Sequence, residues 1–211
     1  MKNKPSKLSS IIALITVNLF PVFGVLFMGW NVFPIMLLYW SENVIIGFYN
    51  VLRMIVCSPK KNEGWFVKLF LVPFFIIHYG GFTLGHGAVI ITFFGQSYFE
   101  GAAGPRLDIL LQIVREYGLP YAMLSIFLSH GYSFVMNFLR KGEYKQISLQ
   151  KLMMAPYGRI VILHVTLILG AFLVLILKSQ IFVLLLFILL KIFVDLWAHL
   201  REHRAVEKRA K

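Results

Sequence analysis

The sequence predicts an all-α fold: a polytopic membrane bundle of six transmembrane helices with short loops, forming one integral membrane domain over 1–211. Three observations predict it. Hydrophobic residues make up 59% of the chain and charged ones 14%, with a mean hydropathy of +0.77, whereas soluble domains are about half apolar and about a quarter charged. Apolar runs long enough to cross a hydrocarbon core of about 30 Å, each about 20 residues, recur along the chain. The basic residues fall between those runs, in short loops and tails.

The runs place spans at about 9–29, 33–56, 65–94, 119–140, 157–178 and 181–200. The first follows the basic start "MKNKPSKLSS"; it is too long for a signal-peptide core and lacks a small-residue cleavage site, so it is expected to stay as a helix. Between the third and fourth spans, Asp108, Gln112, Arg115 and Glu116 share one helical face, with Leu107, Leu110, Leu111 and Val114 elsewhere. That pattern predicts an interfacial helix at 106–117.

Six spans put both termini on one side. Of the 21 Lys and Arg residues, only Arg106, Arg115 and Lys178 fall on the opposite side. The positive-inside rule then makes both termini cytoplasmic and the location the cell membrane. The same distribution accounts for the net charge of +12 without nucleic acid: the basic rim faces the lipid bilayer and suits anionic lipid headgroups. The one cysteine, Cys57, excludes an internal disulfide and a thiolate metal cage.

"YWSENVIIGFYNVLRM" places Glu42, Asn43 and Asn50 inside an otherwise apolar run. At 100° per residue, Tyr39, Glu42, Tyr49, Asn50 and Arg53 occupy about a quarter of the helix, with Asn43 at its edge. Such a face is costly in lipid and is expected to point into the bundle. In "HYGGFTLGHG", His78, Gly81 and Gly85 share a face, and the small-xxx-small spacing predicts close approach of another helix there. His86 lies two turns further out. The fourth span aligns His130, Ser133 and Asn137; the fifth aligns Tyr157 with His164; the sixth aligns Lys191, Asp195, His199 and Glu202.

Helical rise puts Glu42, His78 and His130 near the midplane, His164 and Asp195 slightly toward the cytoplasm, and His86 in the outer half. Each histidine has a plain structural reading as interhelical glue, and Asp195 as an ion-pair partner of Lys191. Glu42 is the exception, because an intramembrane carboxylate points by default to function. Imidazoles and carboxylates without thiolate suit Zn, Mn, Fe or Cu. Glu42, His78 and His130 are therefore the candidate catalytic set of a membrane-embedded metal-dependent enzyme. Glu42, His78, His86, His130 and Asp195 are candidate metal ligands, and Tyr39, Asn43, Asn50 and His164 candidate cofactor-binding residues. Haem ligated by His78 or His86 with His130 or His164 is a second cofactor option. Two other functions fit the same residues: an ion- or proton-coupled small-solute transporter, and a structural or partner-binding subunit. A rhomboid-type serine protease is disfavoured, because the fourth span lacks a Gly-x-Ser nucleophile and His199 lies near the cytoplasmic end.

The runs "PVFGVLFMGWNVFPIMLLYWSENVIIGFYNVLRM" and "HYGGFTLGHG" resemble a prokaryotic integral-membrane family, domain of unknown function 6498, most specifically at Tyr-Trp-x-Glu-Asn. The resemblance implies several membrane helices and marks Tyr39, Trp40, Glu42, Asn43, His78 and His86 as family-type residues. It implies no activity, substrate or cofactor.

Overall fold

A computed structural model of the chain describes residues 23–27, 30–57, 65–101 and 104–177, and helical positions at 182, 184–186, 188–190 and 192–193. Among these residues there is no strand. The helices are α1 (Val32–Val56), α2 (Trp65–Phe94), α3 (Leu107–Glu116), α4 (Leu119–Ser133), α5 (Leu149–Met154) and α6 (Tyr157–Leu177). A seven-residue π-helical segment, Phe134–Arg140, continues α4. Among the described residues, four segments are long and apolar enough to cross a membrane: Val32–Val56, Trp65–Phe94, Leu119–Arg140 and Leu149–Gly170. The expected spans at 33–56, 65–94 and 119–140 coincide with the first three to within a residue. The expected spans at 9–29 and 181–200 lie largely outside the described residues.

The chain forms two compact units, one of 33–164 and one of 1–32 with 165–211. In the second, 23–27 form a helical turn, and the Trp30 amide donates to the Gly24 carbonyl at 3.0 Å. Leu167, Leu184 and Ile188 are buried there.

Within 33–164 the helices alternate in direction, as contacts between them show. Trp40 meets Thr83, Asn43 meets Tyr79, and Ile55 meets Lys68, so α1 and α2 run antiparallel. Phe48 and Tyr49 pack on Phe127, and Arg53 lies over Phe138, so α1 and the α4 segment run parallel. His78 meets Tyr157 and His86 meets His164, so α2 and α6 are parallel as well. Segments separated by one intervening apolar helix thus share a direction, the order a chain follows when it crosses a layer back and forth.

Local chemistry sets the ends. Pro34 sits in the first turn of α1, where its missing N–H costs nothing. Gly118 precedes α4 with φ +62°, a backbone region glycine enters freely, and Pro120 follows in the first turn. The Ser148 hydroxyl accepts from the Lys151 amide and caps α5. Ala155 and Pro156 form the turn into α6. Before α3, the Arg106 guanidinium grips Asp108 at 2.7 Å and 3.1 Å and holds its carboxyl below the usual carboxylate range. Burial, followed by the hydrogen bond to Tyr117, pushes the Tyr98 phenol well above its ordinary value.

One buried cluster ties the elements together: Met54 of α1's last turn and Cys57 just after it, Phe75 and Tyr79 of α2, Phe138 of the π segment, Leu149 and Leu152 of α5, and Ile160 of α6. The close approaches use other glycines than the sequence suggests. A Cβ on Gly47 would meet the Tyr79 ring at 2.5 Å, one on Gly87 the Trp40 indole at 2.8 Å, and one on Gly131 the Tyr49 hydroxyl at 2.6 Å. Gly81 and Gly85 are exposed, with nothing within 4 Å of such an atom. Their spacing permits a helix seam, but the aromatic partners stand on the other side of α2.

Replacing Gly87 by Leu is expected to cost about 1–3 kcal/mol through overpacking against Trp40. Gly85→Leu is expected to leave stability within experimental error. Thermal unfolding of the two variants in one detergent checks the contrast.

Candidate functional site

The polar face of α1 does point inward. Tyr49, Asn43 and Asn50 are buried, while Val44, Phe48 and Ile55 on other faces are exposed. This face meets partners from elsewhere in the chain. The Asn50 amide donates to the Leu152 carbonyl at 3.0 Å, tying α1 to α5. The Tyr79 hydroxyl donates to the Asn43 carbonyl at 2.9 Å, and the Trp40 indole donates to the Thr83 carbonyl at 2.6 Å. The Asn43 side-chain oxygen is buried without a hydrogen-bond partner.

Glu42 meets Arg159 of α6, guanidinium to carboxylate at 2.6 Å. Because Asn43 and Tyr79 touch, Glu42 stands level with His78, whose Nδ1 is 2.8 Å from the Tyr157 hydroxyl. One layer of the structure therefore gathers an ion pair and a His–Tyr pair from α1, α2 and α6. The Glu42 side chain is 21% exposed and that of Arg159 49%, so the protein does not fully enclose the pair.

Eight residues further along α2, about 12 Å of helix, His86 Nε2 lies 2.9 Å from His164 Nδ1. His86 is buried and His164 exposed. Between the layers runs a ladder of rings on one edge of α2: Phe70, Phe74, His78, Phe82 and His86, with successive centroids 6.0, 5.1, 5.1 and 6.3 Å apart.

Of the expected catalytic set, Glu42 pairs with Arg159 and His78 with Tyr157, while the His130 ring lies beside Tyr49 with centroids 6.3 Å apart, within electrostatic reach of Glu42 and Arg159. Among the described residues, no three of His, Cys, Asp and Glu gather in a way that holds a metal. Asn137 donates to Ser133 at 3.3 Å, so the polar stripe of the fourth span is paired along its own helix. Tyr39 lies one turn before Glu42 on the same face of α1. Asp195, with His199 and Glu202, lies outside the described residues.

Arg159 is the partner that sequence reasoning assigned elsewhere, to the cytoplasmic rim. The helix does begin at Tyr157, after the turn at Ala155 and Pro156, and Arg159 lies in its first turn. A guanidinium set beside apolar helices needs an anion, and Glu42 of α1 supplies it.

A family model matches residues 1–211, the whole chain. The chain belongs to DUF6498, a family of unknown function. No curated protein and no solved structure matches it. The Glu42–Arg159 pair joins a residue of the Tyr-Trp-x-Glu-Asn run to one that the run does not predict.

Removing either partner of the ion pair leaves the other charge among apolar helices. Glu42→Gln and Arg159→Gln are each expected to destabilise by about 1–3 kcal/mol, at the low end because both groups are partly exposed. The double variant is expected to cost less than the two singles together. A double-mutant cycle on unfolding in detergent measures the coupling.

Proposed function

We propose that the protein is a multi-pass cell-membrane protein with six spans and cytoplasmic termini, and that it couples proton binding to the binding and passage of a small anion. The observation that carries this reading is the Glu42–Arg159 pair, 2.6 Å apart, in a layer shared by three apolar helices and not fully enclosed by the protein. Such a pair can exchange each partner for a mobile one.

The chemistry follows from charge balance. With Glu42 ionised, Arg159 is neutralised within the protein. A proton arriving on Glu42 removes that negative charge and leaves the guanidinium without a counter-ion. A carboxylate or phosphate then takes its place, matching the planar fork of Arg159 with two parallel hydrogen bonds. Proton and anion enter together, and the layer's net charge is the same before and after. His78 and Tyr157, at the same level, supply further donors to the anion. The basic rim at the cytoplasmic ends of the helices faces anionic lipid headgroups in this arrangement.

The test is uptake into proteoliposomes containing a pH dye, with small carboxylates and inorganic phosphate supplied outside. Anion addition is expected to acidify the lumen, more strongly as external pH falls. Glu42→Gln, which imitates the protonated carboxyl, is expected to keep anion binding and lose its pH dependence; Arg159→Gln is expected to lose both. Absence of anion-driven acidification across the panel, or pH-dependent binding that survives in Glu42→Gln, overturns the reading.

A further inference from the structure

The second polar layer contains no ion pair, and its geometry suits a different ligand. We propose that His86 and His164 form a two-imidazole clasp for a single transition-metal dication of the Zn, Ni and Cu class, joining α2 to α6 with coordination positions left open.

The first ground is convergence. Two imidazole nitrogens from helices 78 residues apart in sequence face one another at 2.9 Å. Two nitrogens sharing a tetrahedral metal at about 2.0–2.1 Å each stand about 3.3–3.4 Å apart. The rings need to separate by only a few tenths of an ångström to admit the ion. His164 is not enclosed by the protein, so its ring has room to shift.

The second ground is burial. His86 is 5% exposed, so its ring is held in place on α2. A neutral hydrogen bond at this contact returns only about 0.5–1.5 kcal/mol net, and coordination of a shared dication by the same two nitrogens is a stronger bond.

The surroundings select the ion. Phe82 lies 6.3 Å from the His86 ring and 6.0 Å from the His164 ring, and the Trp40 indole closes over Gly87 beside His86. No carboxylate or thiolate among the described residues joins the pair in a metal-holding group. Hard oxygen-seeking ions such as Ca and Mg are therefore rejected, and metals that favour neutral imidazole are accepted. With only two protein ligands, the remaining positions take water or an anionic ligand.

The experiment is Zn²⁺ titration of the purified full-length protein in detergent by calorimetry, after chelator treatment and its removal. Wild type is expected to bind one Zn²⁺ per chain at this clasp. His164→Ala and His86→Ala are each expected to weaken it by roughly tenfold or more, and His130→Ala is expected to bind as wild type does. Because His86 is buried, its variant can fail to fold; His164→Ala, at an exposed position, then decides. Wild type that binds no Zn²⁺, or a folded His164→Ala that binds it as wild type does, overturns the proposal. Equal loss in His130→Ala overturns it too, by moving the site elsewhere.

Discussion

An unpaired charge is not tolerated inside apolar helices, and that constraint organises the part of the protein around α1, α2 and α6. Glu42 and Arg159, 117 residues apart, satisfy each other at 2.6 Å. Once they do, the register between α1 and α6 is fixed at that level. Asn50 then reaches the Leu152 carbonyl just where α5 passes, two turns further along α1. The same rule reaches the neutral groups. Tyr79 and Trp40 each spend their donor on a backbone carbonyl across the α1–α2 contact, and Lys68 spends its ammonium on the Ile55 carbonyl at 2.7 Å. A sliding error of one turn would strand several of these groups at once, so register here is specified by polar atoms more than by apolar shape.

The apolar part of the specification lies in paired shapes. Tyr49, Tyr79 and Trp40 each press an aromatic ring or hydroxyl onto a glycine of the facing helix, Gly131, Gly47 and Gly87. Helices in an apolar surround gain little from hydrophobic association and depend on close packing and interhelical hydrogen bonds. Tyr79 and Trp40 provide both at one place: a ring seated on glycine and a donor bonded to a carbonyl. Glycine therefore matters in this protein as a seat for a specific ring, not as a generic small residue.

That distinction explains what was legible in the sequence. Apolar run lengths gave three of the long helices nearly to the residue, because about 20 consecutive apolar positions leave few other structures open. The inward direction of the Tyr39–Arg53 face was also legible, since one helical period decides it. Partner identity was not. Nothing in "GRIVILHV" says that Arg159 belongs to Glu42, because the pairing depends on which helices adjoin. The Gly81–Gly85 spacing was read as a seam, yet the seats are at Gly47, Gly87 and Gly131, whose partners are rings on other helices. Depth alone grouped Glu42, His78 and His130. Equal depth is necessary for a shared site but leaves rotation about each helix axis free, and rotation sends the three side chains to different neighbours.

Two layers of polar groups thus sit along one pair of parallel helices, about 12 Å apart, and they differ in kind. The Glu42 layer is salt-bridged and partly exposed; the His86 layer is a half-buried pair of imidazoles, with one ring nitrogen left over. Phe82 lies between them, its ring 5.1 Å from His78 and 6.0 Å from His164. Phe82 cannot carry a proton, so the layers are not joined by a continuous hydrogen-bonded chain through this ladder. Communication between them has to be mechanical, through α2 and α6 moving as bodies. The two layers share α6, on which Arg159 lies one and a half turns before His164. A displacement of α6 at the proposed clasp therefore reaches the ion pair, with no shared atom between the two.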